Sequence, residues 1–229
     1  MKPTHVGEER FLALPIFAGE TELCRDVAHY CMVSSLKAGH EIVAQSEIST
    51  RLYFVLEGQV RVNVVAKGGR QITYQLLDAG ELFGELACLD DQGRSASVVA
   101  ELDSVVGSID RADVRLLLEK HPHFVQLLLA RLTRLARWLT TRVFEYHTFD
   151  VKGRIISELL RSVDTQVEAN PTIVISDADM ASRVGTTRAN VSRIFAELKR
   201  SGYISRSAQQ IVVKDSTALG LAVNECEFQ

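Results

Sequence analysis

Two short segments in the first half of the chain carry side chains suited to binding a phosphate and a sugar hydroxyl. The run Gly84-Glu85-Leu86-Ala87 is followed, after a short spacer, by Arg94-Ser95-Ala96. A glycine lets the backbone approach a ligand closely, and the planar guanidinium of arginine matches the geometry of a phosphate. Glu85 offers a carboxylate that accepts a hydrogen bond from a hydroxyl. By residue type alone, Glu85 and Arg94 could equally form a surface salt bridge on a β turn, so both interpretations stay open.

A second set of polar side chains, between residues 176 and 202, has the spacing of a helix-turn-helix. The pattern predicts helices near residues 177–184 and 187–201, separated by Gly185 in a tight turn. Arg188, Ser192 and Arg193 fall on one face of the second helix. The opposite, apolar face consists of Val191, Ile194, Phe195 and Leu198.

Positive charge is concentrated in the same region. Residues 183–206 contain six basic side chains and one acidic side chain, whereas the whole chain has 26 basic and 29 acidic residues and a net charge of −3. This balance excludes a uniformly basic nucleic-acid binder but allows a local basic face. A solvated charged face is the alternative to contact with DNA phosphates.

Glycine-separated β-rich segments precede these helices. Six runs, near residues 41–43, 51–56, 59–65, 71–77, 96–100 and 104–107, are rich in β-branched and aromatic residues. Ten of the 14 glycines lie within residues 1–107, and they separate these runs at the spacing of an antiparallel roll or barrel. Residues 9–35 are expected to form short helices before the roll, and residues 203–205 and 210–213 predict a hairpin at the end of a winged helix.

A long helix is predicted between the two regions. Residues 123–152 contain neither Gly nor Pro, and Pro122 is tolerated in a first helical turn. Thirty residues correspond to about 45 Å of helix. Residues at alternating steps of three and four predict a dimer seam, interrupted only by an arginine: Val125, Leu128, Leu132, Leu135, Leu139, Arg142 and Tyr146. A single amphipathic helix lying on its own domain is the alternative.

Composition restricts the class of protein further. The chain has 229 residues, 46% hydrophobic and 24% charged, enough to bury the core of one large domain or two smaller ones. No run approaches 18 apolar residues and the first residues lack a hydrophobic signal core, so we expect a cytoplasmic protein with no membrane partner. No P-loop, metal set or acid–base pair indicates an enzyme, and we expect no catalytic residues.

Cysteines and histidines give no metal site. The four cysteines form no CxxC pair, so we expect reduced, buried thiols. The histidines complete no ligand set and are expected at the surface. The cysteines are Cys24, Cys31, Cys88 and Cys226, and the histidines considered as ligands are His40, His121 and His123.

The motifs resemble those of the bacterial catabolite activator protein, or cyclic-AMP receptor, family of transcription regulators within the fumarate-nitrate regulator superfamily. Gly84-Glu85-Leu86-Ala87 with Arg94-Ser95-Ala96 resembles the phosphate-binding cassette of cyclic-nucleotide-binding domains, and the run from Tyr53 to Gly58 resembles their central β-roll strand. The resemblance implies that Glu85 binds the ribose 2′-hydroxyl and that Arg94 and Ser95 bind the cyclic phosphate. It also implies that Gly84 and Leu86 contribute backbone groups.

The same resemblance assigns the base of the nucleotide to the long helix. Residues 149–155 resemble the family's hinge, and alignment through them implies that Thr140 reaches the base from the partner subunit, with Thr141 as the neighbouring candidate. Leu139 stands where the family commonly has a hydroxyl. Thr140 could instead bond to its own helical turn. Cyclic GMP could replace cyclic AMP if its base is syn and Ser95 meets the guanine amino group.

For DNA, the resemblance implies that Arg188 and Arg193 read guanines. Ala189 replaces a glutamate that the family commonly carries, which removes an acceptor for cytosine N4. The remaining candidate DNA-binding residues are Thr187, Ser192 and Lys199.

Together these features predict an α+β fold. It comprises a jelly-roll-like, cyclic-nucleotide-binding β-roll in residues 1–120, a long dimerisation helix and hinge in residues 121–150, and a winged helix-turn-helix in residues 151–229. We expect a homodimeric transcription regulator, acting as an activator, that responds to cAMP or cGMP, uses no metal, and binds palindromic double-stranded DNA and RNA polymerase. The alternative is a redox- or haem-sensing regulator on the same scaffold, although the chain lacks the tight N-terminal cysteine cluster of iron–sulfur members.

Overall fold

A computed structural model describes residues 4–5, 9–66, 71–90, 92–163, 171–224 and 226. Contacts within the chain divide it into two units, Met1–Leu135 and Ala136–Gln229. The longest helix, α5 (Pro122–Thr148), begins in the first unit and ends in the second. Within the described ranges, no helix is both long and apolar enough to cross a membrane.

Antiparallel strands form most of the first unit. They are β1 (Thr4–His5), β2 (Met32–Leu36), β3 (Glu41–Val43), β4 (Leu52–Glu57), β5 (Gln59–Val65), β6 (Gln71–Asp78), β7 (Leu82–Phe83), β8 (Ser97–Ala100) and β9 (Ser104–Ile109). One sheet has the order β1-β2-β9-β4-β7 and the other has the order β3-β8-β5-β6. All six predicted strands of the roll are present, so this part of the fold prediction is confirmed.

Strand β4, which lies between β9 and β7, is apolar on both faces and contributes to both buried clusters of the roll. Phe54 packs against Phe11 and Phe17, with ring centroids 6.2 and 5.8 Å away. Val55 faces the opposite side of the strand from Phe54. It belongs to a second buried cluster, made up mainly of valines, between the sheets. The roll thus has one core under its helices and another between its sheets.

Helices lie between β1 and β2, between β7 and β8, and after β9. They are α1 (Glu9–Leu12), a 3-10 turn (Pro15–Phe17), α2 (Thr21–Tyr30), α3 (Glu85–Asp90) and α4 (Arg111–Lys120). The prediction of short helices over residues 9–35 is correct as far as Tyr30 and wrong beyond it. Residues 32–36 form β2 instead, since they pair antiparallel with β9.

The predicted dimer seam on α5 is partly wrong. Leu128 and Leu135 are buried within their own chain, and Arg142 is 9% exposed. Leu139 and Tyr146, in contrast, are about two-fifths exposed, at 39% and 40%. The seam as predicted therefore mixes the buried stripe of the helix with its exposed stripe.

The second unit is a winged helix. It contains α6 (Val151–Val163), β10 (Thr172–Val174), α7 (Asp177–Val184), α8 (Arg188–Arg200), β11 (Ile204–Ser207), β12 (Gln210–Val213) and α9 (Ser216–Asn224), with the sheet order β10-β12-β11. Ser176 and Thr187 cap α7 and α8 through their side-chain oxygens, and Gly185 ends α7 in the left-handed region at φ +67. The helix-turn-helix prediction is confirmed, and α9 was not anticipated.

Candidate functional site

The loop between β3 and β4 fixes the backbone of Arg94. The Arg94 carbonyl accepts a hydrogen bond from the N–H of Ser46 at 2.8 Å, and the Arg94 N–H donates to the carbonyl of Glu47 at 3.0 Å. The Arg94 side chain points inward and the residue is only 4% exposed. The position of its guanidinium is therefore decided by partners inside the roll.

Those partners engage both terminal nitrogens of Arg94. Nη1 donates to the carbonyl of Gly84 at 2.9 Å, and Nη2 donates to Ser49 Oγ at 3.0 Å and to the carbonyl of Arg51 at 2.8 Å. The guanidinium carbon lies 5.3 Å from the centre of the Tyr53 ring. The Arg94 Nε is buried and has no hydrogen-bond acceptor among the residues that the structure describes. A buried donor without an acceptor is costly, so this N–H is available to an acceptor atom of a ligand.

Gly84 is required by this arrangement. Its φ is +80, and a Cβ at this position would lie 2.9 Å from the carbonyl oxygen of Arg51 and closer still to Arg94 Nη1. Any side chain here would displace the guanidinium. The glycine predicted to permit close approach thus makes room for Arg94 itself.

Glu85, the first residue of α3, is also buried, at 4% exposure. Its Oε1 lies 3.3 Å from Nε of Arg131 on α5, and both side chains are 5% exposed. Both terminal nitrogens of Arg131 donate to Gln75 Oε1 at 3.3 Å. Glu85 and Arg94 are buried and have separate partners, so the alternative of a surface salt bridge between them is wrong.

Arg131 and Gln75 are site residues that the sequence interpretation missed. The sequence signal for Arg131 is a basic side chain placed directly after the apolar run 127–130 of the long helix. Gln75 lies on β6, where polar residues are ordinary. Their place beside the cassette follows from tertiary packing.

The other predicted ligand residues are more exposed. Ser95 is exposed, and Leu86 is 36% exposed. Thr140 and Thr141 belong to the second unit and are exposed, and their hydroxyls donate to the carbonyls of Ala136 and Arg137 at 3.0 and 3.1 Å. The structure therefore brings Gly84, Glu85 and Arg94 together, while both threonines bond to their own helix.

The predicted DNA-binding residues share the open side of α8. All six are exposed: Thr187, Arg188, Ala189, Ser192, Arg193 and Lys199. Arg193 Nη1 lies 3.8 Å from Glu197 Oε2, and Lys199 Nζ donates to the carbonyl of Arg206 at 3.4 Å. Asn190, in the first turn of α8, is also exposed, and its side chain donates to Thr186 Oγ1 at 3.2 Å. The sequence interpretation did not include Asn190 among the candidate DNA-binding residues.

Fewer basic side chains are available to contact DNA than the sequence count of six indicates. Arg183 Nη1 is 3.4 Å from Glu158 Oε1, and Arg206 pairs with Asp177. Two of the six basic residues of this region are thus paired with carboxylates of the same unit. Positive charge is left mainly on α8 itself, which concentrates it where DNA phosphates would approach.

Cysteines and histidines form no cluster here. All four cysteines are buried thiols, and burial raises the pKa of the Cys31 thiol to about 12. His121 is not at the surface as predicted, because it is 8% exposed and its Nε2 lies 2.7 Å from Asp26 Oδ2. Hydrogen bonds from Lys120 and His121 lower the pKa of Asp26. Among the residues that the structure describes, no group of three or more His, Cys, Asp or Glu side chains could hold a metal ion.

Comparison with known proteins agrees with the two units. Residues 33–121 match the family model of the cyclic nucleotide-binding domain, and residues 133–221 match that of the Crp-like helix-turn-helix domain. The cyclic AMP receptor protein of Thermus thermophilus is 30% identical over 181 residues, which cover 79% of this chain and 83% of that protein. A CRP-like cAMP-activated global transcriptional regulator of Mycobacterium tuberculosis is 26% identical over 186 residues, covering 79% and 83%.

A solved structure shows the same fold at lower identity. The c-di-GMP-responsive global regulator CLP of Xanthomonas campestris superposes with a TM-score of 0.77 at 15% identity, covering 86% of this chain and 100% of that one. The roll, the long helix and the winged helix thus occur in the same order in both proteins. The chain belongs to the cyclic-AMP-receptor (Crp) family of DNA-binding transcription regulators, which are not enzymes and which join a cyclic nucleotide-binding domain to a Crp-like helix-turn-helix.

Proposed function

We propose that this protein is a regulator whose binding to DNA responds to cAMP or cGMP held in the cassette around Arg94. The observation that carries the proposal is the buried Arg94 Nε, which has no acceptor among the described residues, in a site that also holds a buried carboxylate. Among the buried side chains of the site, Arg94 and Arg131 bring two positive charges and Glu85 brings one negative charge. The net charge of +1 suits a cyclic phosphodiester, which carries one negative charge.

The contacts of the nucleotide follow from this placement. The Arg94 Nε donates to a phosphate oxygen, with Ser95 beside it, while Gly84 and Leu86 supply backbone groups. Glu85 accepts from the ribose 2′-hydroxyl. Because a carboxylate has several acceptor positions, it can do so while it remains paired with Arg131.

Thr140 is proposed to contact the base from the partner subunit, with Thr141 as the neighbouring candidate. Each hydroxyl has donated its proton to its own helix, as found above. The oxygen still has a free lone pair, so it can accept from the amino group of adenine. The bond within the helix therefore orients the hydroxyl as an acceptor.

The partner is a second copy of this chain, joined along α5. One set of residues on this helix keeps alternating steps of three and four and avoids the buried stripe: Leu129, Leu132, Ala136, Leu139, Val143 and Tyr146. Leu129 and Val143 are 58% and 56% exposed. Such a stripe is the pattern of a two-stranded coiled coil. This set replaces the predicted seam, with which it shares Leu132, Leu139 and Tyr146.

On this basis residues 1–120 form the sensor, residues 121–150 the dimerisation helix and hinge, and residues 151–229 the DNA-binding domain. Two recognition helices related by a two-fold axis would enter successive major grooves about 34 Å apart on a palindromic site. Arg188 and Arg193 would read guanines there, and Ala189 would offer only an apolar contact. By analogy with its family, the protein would act as an activator that contacts RNA polymerase.

Calorimetric titration with cAMP, cGMP and cyclic di-GMP tests the effector. Arg94→Leu should weaken binding of the cyclic mononucleotide at least about tenfold, because charge-assisted hydrogen bonds are worth roughly 1.5–3 kcal/mol. Lys37→Leu is the control, since that side chain lies outside the cassette and forms an exposed ion pair with Asp103 at 2.6 Å. A folded Arg94→Leu protein that titrates like the wild type, or a chain that binds cyclic di-GMP alone, contradicts the proposal.

A further inference from the structure

The loop of residues 44–51, between β3 and β4, lies directly against the segment that carries Arg94. Ser46 and Glu47 of this loop exchange backbone hydrogen bonds with Arg94, at 2.8 and 3.0 Å. A Cβ at Gly93 would lie 3.2 Å from the carbonyl oxygen of Ser46, so the two segments are closely packed. The side chains of the loop are therefore neighbours of the cassette, although none of them belongs to its sequence motif.

Ser49 is the residue of this loop whose side chain contacts the guanidinium. Its Oγ accepts from Arg94 Nη2 at 3.0 Å. A hydroxyl can accept one hydrogen bond and donate another at the same time. Among the residues that the structure describes, the hydroxyl proton of Ser49 has no acceptor. Ser49 thus offers a free donor beside Arg94, and the sequence interpretation did not include it among the site residues.

The acceptors of Arg94 occupy two different edges of its planar guanidinium. A Cβ at Gly84 would lie 2.9 Å from the carbonyl oxygen of Arg51 and closer still to Nη1, whereas Nη2 is not among its nearest atoms. The Arg51 carbonyl, which accepts from Nη2, therefore lies on the Nη1 side of that nitrogen. The other N–H of Nη2 shares an edge with the Nε–H and is the one left for Ser49. Ser49 Oγ and the Nε–H of Arg94 thus face the same side of the guanidinium.

This edge is the one to which a phosphate would bind. Its two N–H groups point in parallel, so an arginine can hold two adjacent oxygen atoms there. In this structure Ser49 Oγ occupies the place in front of Nη2, and the place in front of Nε has no protein acceptor among the described residues. An anionic oxygen at the second place would be the immediate neighbour of the Ser49 hydroxyl, at hydrogen-bond distance.

We infer that Ser49 is a ligand-binding residue, whose hydroxyl donates to the same phosphate oxygen that Arg94 Nε holds. The inference rests on the proposed function, since it needs a phosphate in this site. Ser49 accepts from the guanidinium and donates to the ligand, so the charge of Arg94 polarises the hydroxyl and strengthens it as a donor. One phosphate oxygen thereby receives two hydrogen bonds, one from each residue.

Two other arrangements make different predictions. In the first, the phosphate displaces Ser49 and bonds to both Nε and Nη2, so that removal of the hydroxyl leaves the affinity unchanged or raises it. In the second, Ser49 only orients Arg94 and never touches the ligand. Removal of the hydroxyl then weakens every ligand by the same factor, whatever atom stands at the phosphate.

The test is calorimetric titration of the wild type and Ser49→Ala. The ligands are whichever of cAMP and cGMP binds more tightly and the two diastereomers of its cyclic phosphorothioate. Each diastereomer carries sulfur in place of one of the two non-bridging oxygens, and sulfur is a weak hydrogen-bond acceptor. Ser34→Ala is the matched control, because Ser34 is also a half-buried serine but lies on β2, which β9 separates from β4.

Ser49→Ala should bind the cyclic nucleotide about tenfold more weakly than the wild type and the control, because it loses a hydrogen bond to a charged group. In the wild type, one phosphorothioate diastereomer should bind at least about fivefold more weakly than the oxygen ligand. In Ser49→Ala, the ratio of affinities for the oxygen ligand and that diastereomer should be at least about threefold smaller, which measures the coupling between the hydroxyl and that oxygen.

Equal or tighter binding by Ser49→Ala, or an unchanged phosphorothioate ratio, overturns the inference and leaves the proposed function standing. If Ser49→Ala does not fold, Ser49→Cys takes its place, because a thiol is a weak donor and should give the same two results. A folded wild type that binds neither cAMP nor cGMP overturns the proposed function, and the inference with it.

Discussion

Replacing Arg131 with methionine isolates the contact between the cassette and α5. The change leaves the Glu85 carboxylate buried, without the cation that now lies 3.3 Å away. Breaking one side of a buried ion pair costs about 3–5 kcal/mol, because the remaining charge has no compensation. For a unit of this size, a loss of 3 kcal/mol lowers the unfolding midpoint by roughly 10 °C.

Scanning calorimetry measures this loss, and fluorescence assigns it to a unit. The single tryptophan, Trp138, lies in the second unit, so its emission should change at the same temperature in wild type and Arg131→Met. Only the calorimetric transition of the first unit should move. Lys37→Met is the matched control, because it breaks an exposed ion pair and should leave the midpoint unchanged.

A double-mutant cycle tests whether the loss of stability comes from the ion pair between Glu85 and Arg131. Glu85→Gln combined with Arg131→Met leaves no unpaired charge, so the double variant should be more stable than Arg131→Met alone. If Arg131→Met lowers the midpoint no more than Lys37→Met, or if the two changes in the cycle are additive, the ion pair does not connect the cassette to α5.

Three further predictions concern DNA and acid. Ala189→Glu should restore a preference for G·C, worth about 1–3 kcal/mol, at the half-site base pair that residue 189 faces, and selection from a random DNA library that returns the same motif for both proteins would contradict this. Arg188→Ala should relax sequence specificity, whereas Lys199→Ala should weaken binding to all sequences alike and lower the salt slope by roughly one, as salt titrations can check. Burial by itself would raise the pKa of Glu158, but three neighbouring guanidiniums outweigh it and hold the folded-state pKa below its usual value, so its contribution to stability is complete above about pH 4.3 and is lost as the pH falls further. Glu158→Gln should therefore destabilise the second unit at pH 7, and the difference from wild type, followed by Trp138 fluorescence in urea, should shrink towards pH 3; an equal difference at both pH values would refute the assignment.

Local patterns in the sequence predict much of this fold. The alternation and apolar content of the roll segments depend on neighbours along the chain, so their strands are found within a residue or two. Gly185 with its flanking caps Ser176 and Thr187 predicts the helix-turn-helix for the same reason. Asp215 is a comparable local signal that the sequence interpretation missed. Its Oδ1 accepts a hydrogen bond from the N–H of Ala218 at 2.8 Å, at the start of α9.

Pairings between distant side chains could not be predicted in this way. Arg131 and Glu85 are 46 positions apart, and nothing in either local sequence names the other. Arg142 is the instructive case, because periodicity placed it in a dimer seam while the fold surrounds it with Glu145 and Glu158. Apolar residues on α5 satisfy alternating steps of three and four in two adjacent registers. Which of the two stripes is buried depends on the residues that pack against the helix. The pattern along the helix does not contain that information.

The central claim is that a cyclic mononucleotide in the cassette controls DNA binding. Fluorescence anisotropy with a labelled palindromic duplex, titrated with protein in the absence and presence of cAMP or cGMP, tests it most directly. For the wild type, we predict that one of the two nucleotides raises the affinity for the duplex at least about tenfold, equivalent to about 1.4 kcal/mol of coupling. In Arg94→Leu, the same nucleotide concentration should leave the affinity unchanged. A wild-type protein that binds the duplex equally well with either nucleotide and with none would contradict the claim.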